Sequence, residues 1–138
     1  MNRQRSNGEV RHPIVLVIDD NPAIRDMVSW ALELDGYEPA EAAEGHEALA
    51  WMDNAAREGR FPNVVLLDLA MPGMDGYAFL QRLRKHGEIA HPLPSVIVIT
   101  AGLPGPDATS LGVDSVIVKP FHVRDLLDLI HKLTASPA

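Results

Sequence analysis

Three observations predict an open α/β sheet with helices on both faces. First, Ile14-Val15-Leu16-Val17-Ile18, Val64-Val65-Leu66-Leu67 and Val96-Ile97-Val98-Ile99 are apolar runs without the alternation of a half-exposed strand. Such runs mark strands buried on both faces, as in a parallel sheet. Second, segments with apolar residues at helical spacing lie between them, and strand–helix alternation implies parallel strands joined by crossovers. Third, Pro39 sits inside a weaker strand, and proline, which cannot donate to a ladder, belongs on an edge. With right-handed crossovers these features give a doubly wound five-stranded parallel sheet in the flavodoxin-like order 2-1-3-4-5, with a short or irregular fourth helix.

The elements follow in chain order. Residues 1-12 are polar and aperiodic and read as a mobile N-terminal tail; one domain spans 13-133, and 134-138 read as a frayed C-terminus. The first strand ends at Asp19-Asp20. Asn21-Pro22 then supplies an N-cap and a proline at the first helical position, where its missing N–H costs nothing. Ile24, Met27, Val28, Ala31 and Leu34 recur at helical spacing, and Gly36 stops the helix in the left-handed conformation. Tyr37 to Ala42 forms the edge strand. A helix from about Gly45 to Glu58 turns Ala48, Leu49, Met52 and one of Ala55 or Ala56 inward, and the next strand ends at Asp68.

Pro72-Gly73 reads as a turn and Asp75 as the N-cap of a helix carrying Phe79, Leu80 and Leu83. Residues Gly87 to Pro94 form a loop, and the following strand ends in Thr100-Ala101. The run Gly102-Leu103-Pro104-Gly105-Pro106 excludes regular structure, leaving room for one or two helical turns before Gly112. Val116-Ile117-Val118 ends in Lys119-Pro120, and Val123, Leu126, Leu127 and Ile130 mark an amphipathic closing helix. Trp30 and Trp51, in helical segments away from the strand exits, read as packing residues. The histidines at 12, 46, 86, 91, 122 and 131 lack metal-site spacing and read as surface residues.

Composition narrows the function. At 138 residues and 46% hydrophobic, the chain suits one domain with a real core. It has no cysteine, which removes disulfides and thiolate metal sites. A formal net charge of -7 argues against direct nucleic-acid binding, which rests on many Lys and Arg contacts. No stretch approaches the length of a membrane span and no signal core is visible, so a cytoplasmic protein without a membrane partner is expected.

The strand exits carry the chemistry. Asp19 and Asp20 end strand 1, Asp68 ends strand 3, Thr100 ends strand 4 and Lys119 ends strand 5. In a parallel sheet these ends share one edge, and the order places the switch point, where ligands bind, between strands 1 and 3. Two carboxylates about 5 Å apart repel by roughly 3 kcal/mol at an effective dielectric near 20. Three together raise a pKa or recruit a cation. Magnesium takes oxygen ligands, and a few carboxylates plus a backbone carbonyl suit it. A phosphoryl group near Asp68 would complete its shell, pair with Lys119 and accept from the Thr100 hydroxyl. Asp68 itself is a candidate nucleophile, because carboxylates form aspartyl phosphates.

Taken singly these motifs have ordinary explanations: loop acids, a turn cap, a hydroxyl bonded to its own backbone, a surface lysine. Four of them occur together, each after an apolar run: Asp19-Asp20-Asn21, Asp68-Leu69-Ala70-Met71-Pro72-Gly73-Met74-Asp75-Gly76, Thr100-Ala101 and Lys119-Pro120-Phe121. In this the chain resembles, from about Pro13 to Leu133, the receiver domain of two-component response regulators. The resemblance implies that Asp68 accepts a phosphoryl group from a sensor histidine kinase or histidine phosphotransfer protein. It implies Mg²⁺ held by Asp20, Asp68 and the Ala70 carbonyl, with Asp19 acting through water or as a minor ligand. Thr100 would bind the phosphoryl group and move on activation, Lys119 would pair with it, and the Lys119-Pro120 bond would be cis. The chain departs from the family pattern at Val116, where relatives usually carry Tyr or Phe, and at the Gly/Pro-rich segment from Gly102 to Gly112, where they carry a full helix.

The expected function is therefore a stand-alone phospho-accepting receiver, not an enzyme, that signals to a downstream protein target by altered protein–protein interaction. The alternative is a phosphorylation-independent interaction module. A Mg²⁺-dependent phosphatase of the haloacid dehalogenase type is disfavoured, because the acidic pair precedes Asp68 and Ala70 stands where that chemistry has a second acid.

Overall fold

The structure, a computed structural model, describes residues 12–69, 76–87, 93–101 and 108–134. In chain order its elements are β1 (Ile14–Ile18), α1 (Pro22–Leu34), β2 (Glu38–Ala42), α2 (Gly45–Arg57), β3 (Val64–Asp68), α3 (Gly76–Gly87), β4 (Ser95–Thr100), α4 (Ala108–Leu111), β5 (Ser115–Val118) and α5 (Val123–Thr134). All strand pairs are parallel, in the order β2-β1-β3-β4-β5. The fold class read from the sequence is the one observed, including a fourth helix of a single turn. Among the described residues no helix is long and apolar enough to cross a membrane.

The continuous apolar runs are explained by burial on both faces. Every residue of β1 and β3 is buried. Leu16, Ile18, Val65, Leu67, Val96 and Val98 point to one side, where Ala48 and Met52 of α2 and Phe79, Leu80 and Leu83 of α3 cover them. Val15, Val17, Val64, Leu66, Ile97 and Ile99 point to the other, under Val28 and Leu32 of α1 and Leu126 and Ile130 of α5. The two-residue side-chain period of a strand thus feeds two separate cores. β2 lies at the edge, as Pro39 requires.

The local signals hold at the caps. The Asn21 side chain accepts from the Ala23 and Ile24 amides at 2.9 and 3.3 Å, with Pro22 at the first helical position. Gly36 has φ +90°, in the left-handed region favourable to glycine. Gly112, at φ +70°, follows α4, and the Arg84 guanidinium of α3 donates to the carbonyls of Leu111 and Gly112. A cation on the last carbonyls of a one-turn helix supplies partners that the helix itself cannot.

Two expectations need correction. Trp30 does not pack: it is 65% exposed, as are Leu34 at 69% and Met27 at 42%, two of the apolar residues at helical spacing in α1. Seven apolar residues between positions 24 and 34 make an arc wider than β1, β2 and α5 can cover, and burial falls on Val28, Ser29 and Leu32. Trp51 does pack, half-buried against the α2/α3 core. Finally, Thr134 belongs to α5 rather than to a frayed end: its hydroxyl lies 3.2 Å from that of Tyr37 and donates to the Ile130 carbonyl at 2.9 Å. The tail through residue 11, the turn at Pro72-Gly73, the Asp75 cap, the Ala70 carbonyl, the irregular stretch from Gly102 to Pro106 and residues 135–138 lie outside the described residues. Of the six histidines, 12, 46, 122 and 131 are exposed.

Among the described residues Phe79 is the largest fully buried side chain, and it joins α3 to the sheet. Phe79→Ala is expected to cost about 3–5 kcal/mol, read from the shift of a urea denaturation midpoint at unchanged slope.

Candidate functional site

Asp19, Asp20, Asp68, Thr100 and Lys119 sit at or just past the carboxyl ends of strands, and the register brings the ends together. Ile18, the last residue of β1, pairs with Leu67, so Asp19 emerges beside Asp68. Asp68 in turn pairs with Ile99, which puts Thr100 next along the edge, and Thr100 pairs with Val118 just before Lys119. Cross-strand bonds continue the ladder past the strand ends. The Asp19 amide donates to the Ala42 carbonyl at 3.1 Å, that of Leu69 to Ile99 at 3.2 Å, and that of Lys119 to Thr100 at 2.8 Å. The site is therefore an extension of the sheet rather than a loose cluster of loops.

Asp19, Asp20 and Asp68 each offer a carboxylate oxygen, all within 4.8 Å of one another. Asp19 is 1% exposed and Asp68 5%, while Asp20 is exposed. One oxygen of Asp19, Oδ1, accepts the Asn21 amide at 2.9 Å. Its Oδ2 is buried without a hydrogen-bond partner. The Lys119 ammonium lies 3.6 Å from that atom and 3.7 Å from Asp68 Oδ2, in ion-pair range of both carboxylates. Thr100 is half-buried at the exit of β4, and the Lys119-Pro120 bond is cis, as the resemblance implied.

This donor set fits a hard divalent cation. All the donors are oxygen, three carboxylates gather beside one ammonium among the described residues, and the buried Asp19 Oδ2 has no hydrogen-bond partner there. Magnesium prefers oxygen ligands and keeps waters that the exposed Asp20 side leaves room for. One supporting residue was quoted in the sequence motif without a role. A Cβ on Gly76 would lie 2.6 Å from Leu69 Cα, 2.8 Å from Leu69 Cδ2 and 3.1 Å from the Asp68 carbonyl oxygen. The Gly76 amide donates to the Leu69 carbonyl at 3.0 Å. Only glycine allows α3 to begin this close to the exit of β3. The DG dipeptide ahead of an apolar helix was the available signal, but a turn explained it equally well.

A doubly wound parallel sheet with an acidic, lysine-braced cluster at its switch point defines a class of α/β protein whose ligand site lies at the carboxyl edge of the sheet. Comparison with known proteins makes this specific. The family model for the response regulator receiver domain matches residues 15–131, and the chain belongs to that family. It is 38% identical over 115 residues, 81% of this chain and 44% of the relative, to the probable transcriptional regulator ycf27 of Porphyridium aerugineum. It is 34% identical over 115 residues to the phosphate regulon transcriptional regulatory protein PhoB of Pseudomonas aeruginosa, covering 82% of this chain and 48% of that protein. The chain thus spans about half the length of the curated relatives it matches. Among solved structures, the Vibrio cholerae chemotaxis protein CheY4 superposes with a TM-score of 0.74 at 31% identity, over 89% of this chain and 99% of that one. The response regulator TrrA of Thermotoga maritima, solved in complex with Mg²⁺ and BeF, gives 0.70 at 31% identity, over 88% and 98%.

Gly76→Ala is expected to destabilise by about 1–3 kcal/mol, since Leu69 backbone must give way to the new methyl; chemical denaturation measures it. Asp20→Asn has the opposite sign in chelator. Removing one of three clustered charges relieves repulsion, and the melting temperature is expected to rise by about 1–3 °C, less at high salt because Asp20 is exposed.

Proposed function

We propose that this receiver takes a phosphoryl group on Asp68 from the phosphohistidine of a sensor histidine kinase or histidine phosphotransfer protein, with Mg²⁺ at Asp19, Asp20 and Asp68. The observation that carries the reading is the Lys119 ammonium lying across Asp19 and Asp68 within a triad of carboxylates. A carboxylate oxygen of Asp68 attacks phosphorus, the P–N bond to the imidazole breaks, and the imidazole leaves with the electron pair. Lys119 pairs with the oxygens of the incoming group, and the Thr100 hydroxyl donates to one of them. Asp20 and Asp68 would hold the ion, with Asp19 acting through water or as a minor ligand, and the ion would neutralise charge on the phosphoryl oxygens. The chain carries a signal rather than turning over a substrate: its phosphorylated state changes the contacts made with a downstream protein target.

The approach route of the donor follows from the surface. A groove of about 460 Å³ is lined by Ile24 and Met27 of α1 together with Ala101, Lys119, Pro120 and Phe121. It runs from Lys119, beside the acceptor, to the exposed apolar line of Met27, Trp30 and Leu34. A phosphohistidine-bearing helix laid there covers that line while its imidazole faces Asp68. Net charge -7 argues that the receiver itself does not contact nucleic acid, whatever a regulator of twice its length does.

A second reading, binding to a partner independently of phosphorylation, draws on Val116. That residue is half-buried against the α2/α3 core and has no ring to swing beside Thr100. It predicts partner binding indifferent to Asp68→Asn and to beryllofluoride.

Incubation with Mg²⁺ and acetyl phosphate is expected to add the mass of one phosphoryl group, and Asp68→Asn to abolish the gain. Intact-mass spectra unchanged with every phosphodonor tried would sink the proposal. Trp30→Ala is expected to slow transfer from a phosphorylated kinase about tenfold or more, as for a buried aromatic anchor at an interface, while leaving acetyl phosphate labelling unaltered. Equal slowing with both donors would place Trp30 in the fold instead.

A further inference from the structure

Among the described residues nothing anchors Asp20 as its neighbours are anchored. Asp68 lies within β3, and Asp19 is buried with its amide, one carboxylate oxygen and its carbonyl all engaged. Asp20 is exposed and follows the end of β1. Its direction is set by the peptide that joins it to Asp19, because the Asp19 carbonyl and the Asp20 amide share one plane. The partner of that carbonyl is Arg25. Its Nη1 donates to Asp19 O at 2.7 Å, and its Nε donates to Glu41 Oε1, at the end of β2, at 3.3 Å. The guanidinium is largely covered, its side chain 19% exposed against 39% for Glu41. Arg25 therefore braces the β1–α1 turn against β2, with Glu41 aiming the fork.

We infer that Arg25 is a positioning residue for the ion site: by holding the Asp19-Asp20 peptide it preorganises the Asp20 carboxylate toward Asp19 and Asp68. The inference rests on the ion-binding reading of that cluster. It deepens it by naming a side chain that touches neither the ion nor a phosphoryl group. Partners behind metal ligands are known to govern affinity through orientation.

The sign of the effect separates positioning from simple charge. Arg25 is a cation near a site for a cation. If it acted only through its charge, its removal would tighten Mg²⁺ binding by relieving like-charge repulsion. A positioning role predicts the opposite, because the freed Asp19 carbonyl lets the peptide turn and Asp20 drift. Arg25→Ala is expected to weaken Mg²⁺ binding about tenfold or more in calorimetric titration. Arg25→Lys, which retains a donor of similar reach, is expected to recover most of it. Glu41→Gln, which keeps an acceptor for Arg25, is expected to lose less than threefold. The melting temperature in EDTA separates this from unfolding, and Arg25→Lys carries the test if the alanine variant does not fold.

The inference stands if affinity falls in Arg25→Ala and returns in Arg25→Lys, with EDTA melting temperatures within a few degrees of wild type. It is overturned, with the ion reading intact, if wild-type protein binds Mg²⁺ and Arg25→Ala binds it equally well or more tightly. It is overturned as well if both variants lose affinity only in step with their stability. If wild-type protein shows no Mg²⁺ binding, the ion reading falls and this inference with it.

Discussion

The constraint on which this structure turns is electrostatic. Three carboxylates are held within 4.8 Å of one another at the edge of an apolar sheet, two of them almost fully buried. Charges about 5 Å apart repel by roughly 3 kcal/mol at an effective dielectric near 20. The Lys119 ammonium lies within 3.7 Å of both buried members and supplies attraction of similar size. Among the described residues the balance is incomplete: three carboxylates gather beside one ammonium, and Asp19 Oδ2 has no hydrogen bond. Such an arrangement persists because the surrounding fold enforces it, and a second cation bound there would relieve more of the penalty.

The enforcement comes from the backbone. β1 and β3 are buried at every position and run into carboxylates, so a slip of either strand would disrupt both cores and could draw a charged residue inward. Their register places Asp19 beside Asp68, and the bond from the Lys119 amide to Thr100 returns the β5 exit to the same edge. Gly76 lets α3 start against Leu69, and Arg25 ties the acidic turn to β2. Hydrophobic burial thus supplies the rigidity that holds like charges together, and the two cores on either side of the sheet are the scaffold of the site.

How much of this the sequence discloses depends on the range of the physics involved. Unbroken apolar runs ending in polar residues are local, and they located the strands, their parallel pairing and the exits at Asp19, Asp68, Thr100 and Lys119. Capping at Asn21 and the left-handed Gly36 are equally local. The orientation of α1 is not. Its apolar arc admits more than one buried face, and only the positions of β2 and α5 decide that Leu32 goes in and Trp30 stays out. Gly76 and Arg25 escaped for the same reason. One is required by a backbone that approaches from seven residues earlier, the other by a carbonyl and a carboxylate on two different elements. Contacts of that kind leave no periodic trace.

The same geometry bears on how a change at Asp68 would travel. In the structure Lys119 is shared between Asp19 and Asp68. Added negative charge on Asp68 would draw the ammonium toward itself and away from Asp19, and Lys119 is joined through its amide to Thr100 at the end of β4. Beyond that point the chain has Val116 rather than a ring that could flip between core and surface. It also has a one-turn α4 whose terminal carbonyls are held by Arg84 from α3. A switch built on this site would then reside in backbone and in ion pairing rather than in an aromatic rotamer. The elements with fewest buried residues are the natural place for it: all four residues of β5 are only half-buried, whereas β1 and β3 are sealed. A charge-driven shift at Lys119 would therefore be absorbed at the β5 edge, where movement costs least apolar burial, and the rigid half of the sheet would keep the acidic site intact while it happens.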